Sequence, residues 1–314
     1  MSNTGIVYSV LRYYHQPLRK HAKMIEGFSV IAESINNSVP STQQMYDNQD
    51  YAGLLELAKS QDVAGAAYLD VNVGPRPAEL LAKMITDIQT VSSKPLSIDS
   101  PDIVQAQAGL EAYSAEKANG QKPILNSISP LRTEMFKLYS IQPFRPILLA
   151  SEQSIDGVGA PTKTAQETWR AAKGLVNLYL DSCPGSTLDD CIIDLGIAPI
   201  GSDMEDNFRR LVDALKLIGE DPELKGVHFS GGLSNFTVML PPKRPDGMSV
   251  KSALESAFLT ITMPLGMDMS ITSVKRKHEI LDDSHPALKC LNDVLTLSGI
   301  DCLKRVKKFY KGKD

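Results

Sequence analysis

The sequence predicts an α/β fold, a single-domain TIM (β/α)8 barrel with a short N-terminal extension, and three observations predict it. Eight short apolar runs recur along the chain, helical amphipathic patterns separate them, and most of the runs carry Asp, Asn, Glu or Ser at or next to their last residue. Eight is the number of strands that closes a parallel barrel.

The elements follow in order. Residues 1–27 lie outside the repeat and form the extension. The first run, 28–33, ends on Glu33, Ser34, Ile35, Asn36 and Asn37, and Tyr51, Leu54, Leu55 and Ala58 then repeat at helical spacing. The second run, 66–73, contains Asp70 and Asn72 and is closed by Gly74. The third, 95–99, ends on Asp99, and Ser100-Pro101 places a capping oxygen before a proline suited to a first helical turn. The fourth, 123–128, carries Asn126 and Ser127 and is followed by the same signal at Ser129-Pro130. The fifth is 146–150. The sixth, 190–195, contains Asp194, and Ser202 with Glu205 reads as a capping box starting the helix that Phe208, Leu211, Val212 and Leu215 pattern. The seventh, 226–230, holds His228 and runs into Gly231-Gly232-Leu233-Ser234-Asn235. The eighth, 267–271, precedes a helix over much of 275–300. The barrel is thus bounded at 28–300. The remainder, 301–314, is a basic tail that reads most simply as a solvated helix end. An open doubly wound sheet is the alternative, but the first strand–helix turn lacks GxGxxG, and no GxxxxGK[ST] occurs.

Composition narrows the function classes. A formal net charge of −4 gives no support to a nucleic-acid or acidic-membrane partner. No apolar run is long enough to span a bilayer, and the opening residues do not read as a signal peptide, so a cytoplasmic protein is expected. Cys183, Cys191, Cys290 and Cys302 are scattered, without a CxxC pair or a Cys/His cluster. Buried reduced thiols and no bound metal are therefore the expectation.

A barrel of this kind carries its site at the strand C-terminal ends. Carboxylates and carboxamides dominate there: Glu33, Asn36, Asp70, Asn72, Asp99, Asn126, Asp194 and Asn235, with no cationic cluster among them. Such a set suits a neutral heterocycle rich in N–H donors, because a carboxylate accepts a pair of hydrogen bonds and a carboxamide matches mixed edges. Phosphate would call for glycine-rich nests or arginine. Singly, each residue also reads as a cap, an Asx turn or a hydrogen-bond anchor, and His228 reads as a satisfied core histidine.

Taken in order, the runs Tyr68-Leu-Asp70-Val-Asn72-Val-Gly74, Leu96-Ser-Ile-Asp99-Ser100, Ile124-Leu-Asn126-Ser127, Ile192-Ile-Asp194 and Gly232-Leu-Ser234-Asn235 resemble the pterin-binding methyltransferases. These include the methyltetrahydrofolate:corrinoid protein methyltransferases and the folate module of cobalamin-dependent methionine synthase. Glu33-Ser-Ile-Asn36 is similar to the family's E-R-x-N motif, with Ser34 at the arginine position. The resemblance covers roughly residues 28–300. It implies a homodimeric TIM barrel with the pterin ring held by Asp99, Asn126 and Asp194, and with Asn235 beside N5, the atom that carries the methyl group. Glu33, Asn36, Asp70, Asn72 and Ser234 are expected at the mouth or behind it. Lys243 and Arg244, on a longer loop than is usual after that motif, are both candidates for the family's basic position.

The activity that the resemblance implies is that of a methyltransferase acting between N5 of tetrahydrofolate and a corrinoid, methylcobalamin or cob(I)alamin, supplied by a partner protein. This chain has no D-x-H-x-x-G corrinoid-ligand motif of its own. The expected net direction forms 5-methyltetrahydrofolate in a demethylation pathway, such as that for glycine betaine or O-demethylation. A dihydropteroate synthase-like enzyme is the alternative, but the lysine after strand six and the S-R-K motif at strand seven that it needs are missing. A non-catalytic pterin-binding protein is the other.

Overall fold

The structure is a computed structural model that describes residues 25–313; most of the expected N-terminal extension lies outside the described residues. Strand β1 (Ser29–Asn36) is followed by helices α1 (Pro40–Asp47) and α2 (Tyr51–Val63), then by β2 (Tyr68–Asn72), α3 (Ala78–Ile88), β3 (Leu96–Asp99) and α4 (Ile103–Ala112). Strands β4 (Ile124–Ile128) and β5 (Arg145–Leu149) are joined through one 3-10 segment, Thr133–Ser140. A two-stranded excursion, β6 (Glu152–Ile155) and β7 (Val158–Pro161), then leads into α5 (Ala165–Ser182). Next come β8 (Ile192–Asp194), α6 (Asn207–Glu220), β9 (His228–Ser230) and the short α7 (Leu233–Phe236). The last elements are α8 (Val250–Thr262), β10 (Met269–Thr272), α9 (Pro286–Val294) and α10 (Ile300–Tyr310).

Eight strands pair in the order β10-β1-β2-β3-β4-β5-β8-β9, every pair parallel. Two isolated parallel bridges, Phe229 to Met267 and Gly232 to Ile271, carry β9 back to β10 and close the cylinder. All eight expected strands are present, and the fold is the (β/α)8 barrel. The side hairpin β6–β7 is an addition. It turns on Asp156-Gly157, both with positive φ, the geometry a two-residue hairpin needs.

Two apolar cores hold the barrel. The larger one fills the space between sheet and helices; α2 and α6 contribute Leu54, Ala58, Phe208, Leu211, Val212 and Leu215 to it. The smaller consists of Ile31, Tyr68, Ile124, Ile147, Ile192 and Met269, on six different strands, and plugs the cylinder itself. Because side chains alternate along a strand, the residue two positions beyond each plug residue faces the same interior. That rule sets Glu33, Asp70, Asn126 and Asp194 directly above Ile31, Tyr68, Ile124 and Ile192. The plug thus gives the polar set a dry floor.

Helix starts differ from expectation where a nearer oxygen competes. Helix α6 begins at Asn207, not after Ser202. Buried Asp203 accepts from the Asn207 and Phe208 amides at 2.8 and 2.9 Å, whereas Ser202 sits in a 3-10 turn. At Ser100-Pro101 the cap is Asp102, whose carboxylate accepts from the Val104 and Gln105 amides. Ser129-Pro130 starts no α-helix; a 3-10 segment, Thr133–Ser140, follows it. Only the later part of 275–300 is helical, as α9. The basic segment continues as α10, whose Cys302, Val306 and Phe309 are buried. The four cysteines are buried and free. No helix among the described residues is long and apolar enough to cross a membrane.

Candidate functional site

At the C-terminal ends of β1 to β4 the strands assemble a network around two carboxylates, the fully buried Asp70 and the half-buried Asp99. The Asn36 carboxamide donates to Asp99 Oδ2 at 3.0 Å and to Asp70 Oδ2 at 3.4 Å, linking the two acids. Asn72 also donates to Asp99 Oδ2, at 3.0 Å. Asp70 further accepts from Ser97 Oγ at 2.7 Å and from the Asn126 amide at 3.4 Å. Register explains the meeting: Asp70 is opposite Ser97, and Asp99 is opposite Asn126. Burial raises the pKa of both acids, and the negative charge of Asp99 raises Asp70 further. The amide of Gly74 donates to Asn72 Oδ1 at 2.7 Å and fixes that carboxamide. Gly74 has φ +66°, and a Cβ there would come within 2.4 Å of Asn37, so glycine is required.

Asp194 stands across the mouth at the end of β8. One oxygen takes the Gly196 amide at 2.7 Å, and burial pushes its pKa up to about 6. Behind it, buried Arg210 of α6 donates to the Leu195 and Gly196 carbonyls at 2.9 and 3.2 Å and to Thr168 Oγ1 at 2.9 Å. The turn after Asp194 is thereby locked. Gly196 adopts φ +70° beside Ser151, where a Cβ would clash at 2.4 Å.

The third side of the mouth comes from β1, β9 and β10. Glu33 accepts from Ser234 Oγ at 2.5 Å, and burial raises its pKa. Asn235, in the single turn of α7, is exposed, with its carboxamide nitrogen over Gly232. Of the candidate residues, the structure joins Asn36, Asp70, Asn72, Asp99 and Asn126 in one hydrogen-bond network and Glu33 with Ser234 in another. Asp194 and Asn235 are hydrogen-bonded to neither network. Lys243 and Arg244 join neither network: Lys243 is exposed in a bridge to Ser249, and the Arg244 guanidinium lies 4.9 Å over the Phe309 ring.

Three features are not expected from the sequence. Ser97 steadies Asp70, and Arg210 braces the turn after Asp194. The third is a fully buried carboxylate, Glu255 of α8. It accepts from Thr237 Oγ1 at 2.5 Å, pairs with Arg276, and has His278 Nε2 at 3.0 Å from its second oxygen. The signals were a lone charge in the apolar stretch 252–262 and the Lys275-Arg276-Lys277-His278 run just past β10. His228 belongs to the opposite end of the barrel, at the start of β9. Its Nδ1 is 2.5 Å from Asp268 and its Nε2 3.2 Å from Asp189, and the Asp268 hydrogen bond raises its pKa. Among the described residues, no three His, Cys, Asp or Glu side chains gather as a metal site.

Comparison with known proteins agrees with this geometry. A family described as pterin binding enzyme matches residues 34–273. A methylcorrinoid:tetrahydrofolate methyltransferase from Eubacterium limosum is 24% identical over 251 residues, spanning 77% of this chain and 83% of that protein. A methionine synthase from Mycobacterium leprae is 25% identical over 280 residues; the match takes in 84% of this chain but 22% of that longer protein. Among solved structures, the 7,8-dihydropteroate synthase from Vibrio fischeri ES114 superposes with a TM-score of 0.50 at 14% identity, over 90% of this chain and 94% of that one. A likeness at that identity speaks for the shared barrel alone.

Proposed function

The chain belongs to the pterin-binding enzyme family, and from that premise we propose that it moves a methyl group between N5 of tetrahydrofolate and the cobalt of a corrinoid carried by a separate protein. The observation that carries the proposal is the division of the mouth. Half-buried acceptors, Asp99, Asn126 and Asp194, stand on β3, β4 and β8 and suit a pterin N–H edge, while the turn after β9 presents one exposed carboxamide, Asn235. The name of the Eubacterium limosum relative supports the same reaction.

In this reading Asp99, Asn126 and Asp194 hold the pterin ring by hydrogen bonds. Asn36, Asn72 and Ser97 keep the acceptors oriented. The plug below excludes water from the floor, which strengthens each bond. The corrinoid, when docked, supplies or takes up the methyl group. Asn235 accepts from protonated N5 when methyltetrahydrofolate is the donor, and donates to the neutral N5 lone pair when it is the product. It has no transferable proton, so solvent supplies or removes it. The remaining catalysis is the positioning of two reactants.

A dihydropteroate synthase reaction is disfavoured on one specific observation. A pyrophosphate leaving group calls for cations at the strand ends, yet the segments leaving β8 and β9, Leu195 to Ile200 and Gly231 to Asn235, carry no lysine or arginine. The proposal takes the chain to work as a cytoplasmic homodimer and to methylate folate within a demethylation pathway. The deciding experiment is transfer from free methylcobalamin to tetrahydrofolate, followed by absorbance of the corrinoid. Pterin binding without any methyl exchange, with free cobalamin or with corrinoid proteins, would refute it.

A further inference from the structure

We propose that a cavity at the N-terminal end of the barrel, opposite the mouth, is a second binding site, built for a small phosphate monoester. It stands independently of the folate reading above. The cavity measures about 420 Å³, and the first residues of β1, β2, β5, β9 and β10 all line it: Ser29, Tyr68, Arg145, His228 and Met269. Lys94, just ahead of β3, lines it as well. Asn119, at φ +56°, and Gly120, at φ +80°, turn the chain so that the exposed carboxamides of Asn119 and Gln121 border the same space. Tyr68 and Met269 also belong to the apolar plug, which therefore separates this cavity from the mouth.

Arg145 carries the argument. A guanidinium has a fixed charge and five N–H donors. Here it is half-buried, and its two hydrogen bonds go to neutral oxygens: Nη1 donates to Tyr68 Oη at 2.9 Å and Nη2 to the Asp189 carbonyl at 2.7 Å. Its Nε is buried without a partner, and no carboxylate among the described residues forms an ion pair with it. Lys94, half-buried on the same cavity, also has no ion-pair partner among the described residues. The nearby acids do not cancel these two cations, because His228 occupies both of them. Asp268 lies 2.5 Å from His228 Nδ1 and accepts from the Phe229 amide at 3.0 Å, while Asp189 lies 3.2 Å from His228 Nε2. The Asp268 hydrogen bond raises the pKa of His228 and the Arg145 charge opposes it, so an anion in the cavity relieves a repulsion between the two. Phosphate suits this set better than a carboxylate. Its three terminal oxygens take the guanidinium, the Lys94 ammonium and a carboxamide N–H together, whereas a carboxylate offers two. The cavity is larger than a phosphate group, and its remaining wall includes Ser29, Ser93 and Gln121, so the esterified group should bear hydroxyls.

The test is titration calorimetry of the full chain with ribose 5-phosphate, inorganic phosphate, ribose and succinate. Ribose 5-phosphate should bind one site per chain with a Kd of about 1 mM or lower, phosphate more weakly and ribose not measurably. Arg145→Gln should weaken the ester about 10- to 100-fold, the loss expected when a charged hydrogen-bond donor is removed. Lys94→Gln should weaken it about 2- to 5-fold, as a more exposed ion pair does. Arg145→Lys, which keeps the charge without the planar fork, should fall between wild type and Arg145→Gln. Should Arg145→Gln fail to fold, Lys94→Glu decides: it should abolish binding while melting near the wild-type temperature. Saturating tetrahydrofolate should leave the ester's affinity unchanged, because the plug lies between the two sites. The inference is overturned if no compound binds, if ribose binds as tightly as its phosphate, or if the Arg145 and Lys94 variants bind like wild type. Competition by tetrahydrofolate would move the ligand to the mouth and overturn it too. Succinate binding as tightly as the ester would make this a carboxylate site and overturn the phosphate assignment.

Discussion

Replacing Asp194 with Asn should move stability and binding in opposite directions. The carboxyl of Asp194 titrates at about 6, against an ordinary 3.8, because burial penalises its charge. A raised carboxyl pKa favours the folded state below about pH 4, and that contribution is lost as pH rises through about 6. At pH 7.5 the charge therefore costs up to about 3 kcal/mol, and its open face toward the mouth reduces this to about 1–2 kcal/mol. Asp194→Asn removes the cost and keeps an oxygen for the Gly196 amide, so the ligand-free variant should melt about 2–6 °C higher. Its new NH2 group, however, confronts the pterin N–H donors under the proposed mode of binding. Losing two charge-assisted hydrogen bonds should weaken tetrahydrofolate by about 2–4 kcal/mol, roughly 30- to 1000-fold. Differential scanning fluorimetry and calorimetry at pH 7.5 and pH 5 read both effects. The melting advantage should fall to roughly half at pH 5 and vanish only below about pH 4, the ordinary carboxyl range in which the unfolded chain is protonated as well. Wild-type affinity should itself fall by about tenfold per pH unit below about 6. A variant that binds normally, or one that melts lower at pH 7.5, would refute the reasoning.

Further outcomes concern other parts of the mouth. Asn235→Ala should reduce methyl turnover by about 10²–10³ while changing folate affinity little, since its bond matters when N5 charge changes. Asn235→Asp, which accepts but cannot donate, should retain more activity starting from methyltetrahydrofolate; wild-type turnover in both variants would remove Asn235 from the chemistry. Glu255→Ala should lower stability by about 3 kcal/mol, read as a sharp drop in melting temperature, because Arg276 and His278 lose their partner, and Glu255→Gln should recover part of it; a neutral effect would show that the ion pair is dispensable. Elemental analysis of the purified chain should find neither stoichiometric cobalt nor zinc, and a bound equivalent of either would contradict the assignment of the corrinoid to a partner.

Strand ends were the most legible part of this sequence, for a physical reason. An apolar residue and a polar one two positions later share a face, so Tyr68–Asp70, Ile124–Asn126 and Ile192–Asp194 announce both the plug and the polar side chains above it. Cylinder closure then brings them together without further information. Capping was less legible, because several oxygens compete within one turn: Ser202 has the right spacing to Glu205, but Asp203 is closer to the amides. The β6–β7 hairpin carried its Asp156-Gly157 signal between short polar flanks that alternate weakly. The Glu255–Arg276–His278 cluster was the least legible, since its members lie 21 and 23 residues apart and meet only through α8 packing beside β10.

The closure between β9 and β10 has a mechanical consequence. Every other neighbouring pair of barrel strands is joined by a ladder, but this one is stitched by two single bridges. A cylinder yields first along its least-stitched line, and here that line passes between the turn holding Asn235 and the loop holding Lys275 to His278. Breathing along it shifts the edge proposed for the chemistry while the ladders from β1 through β8 keep Asp99, Asn126 and Asp194 in register. The enzyme is thus divided into a stiff cradle and a compliant jaw. Amide exchange at Ile271 should accordingly outpace exchange at Leu125 and Ile193, the central residues of the stiff wall.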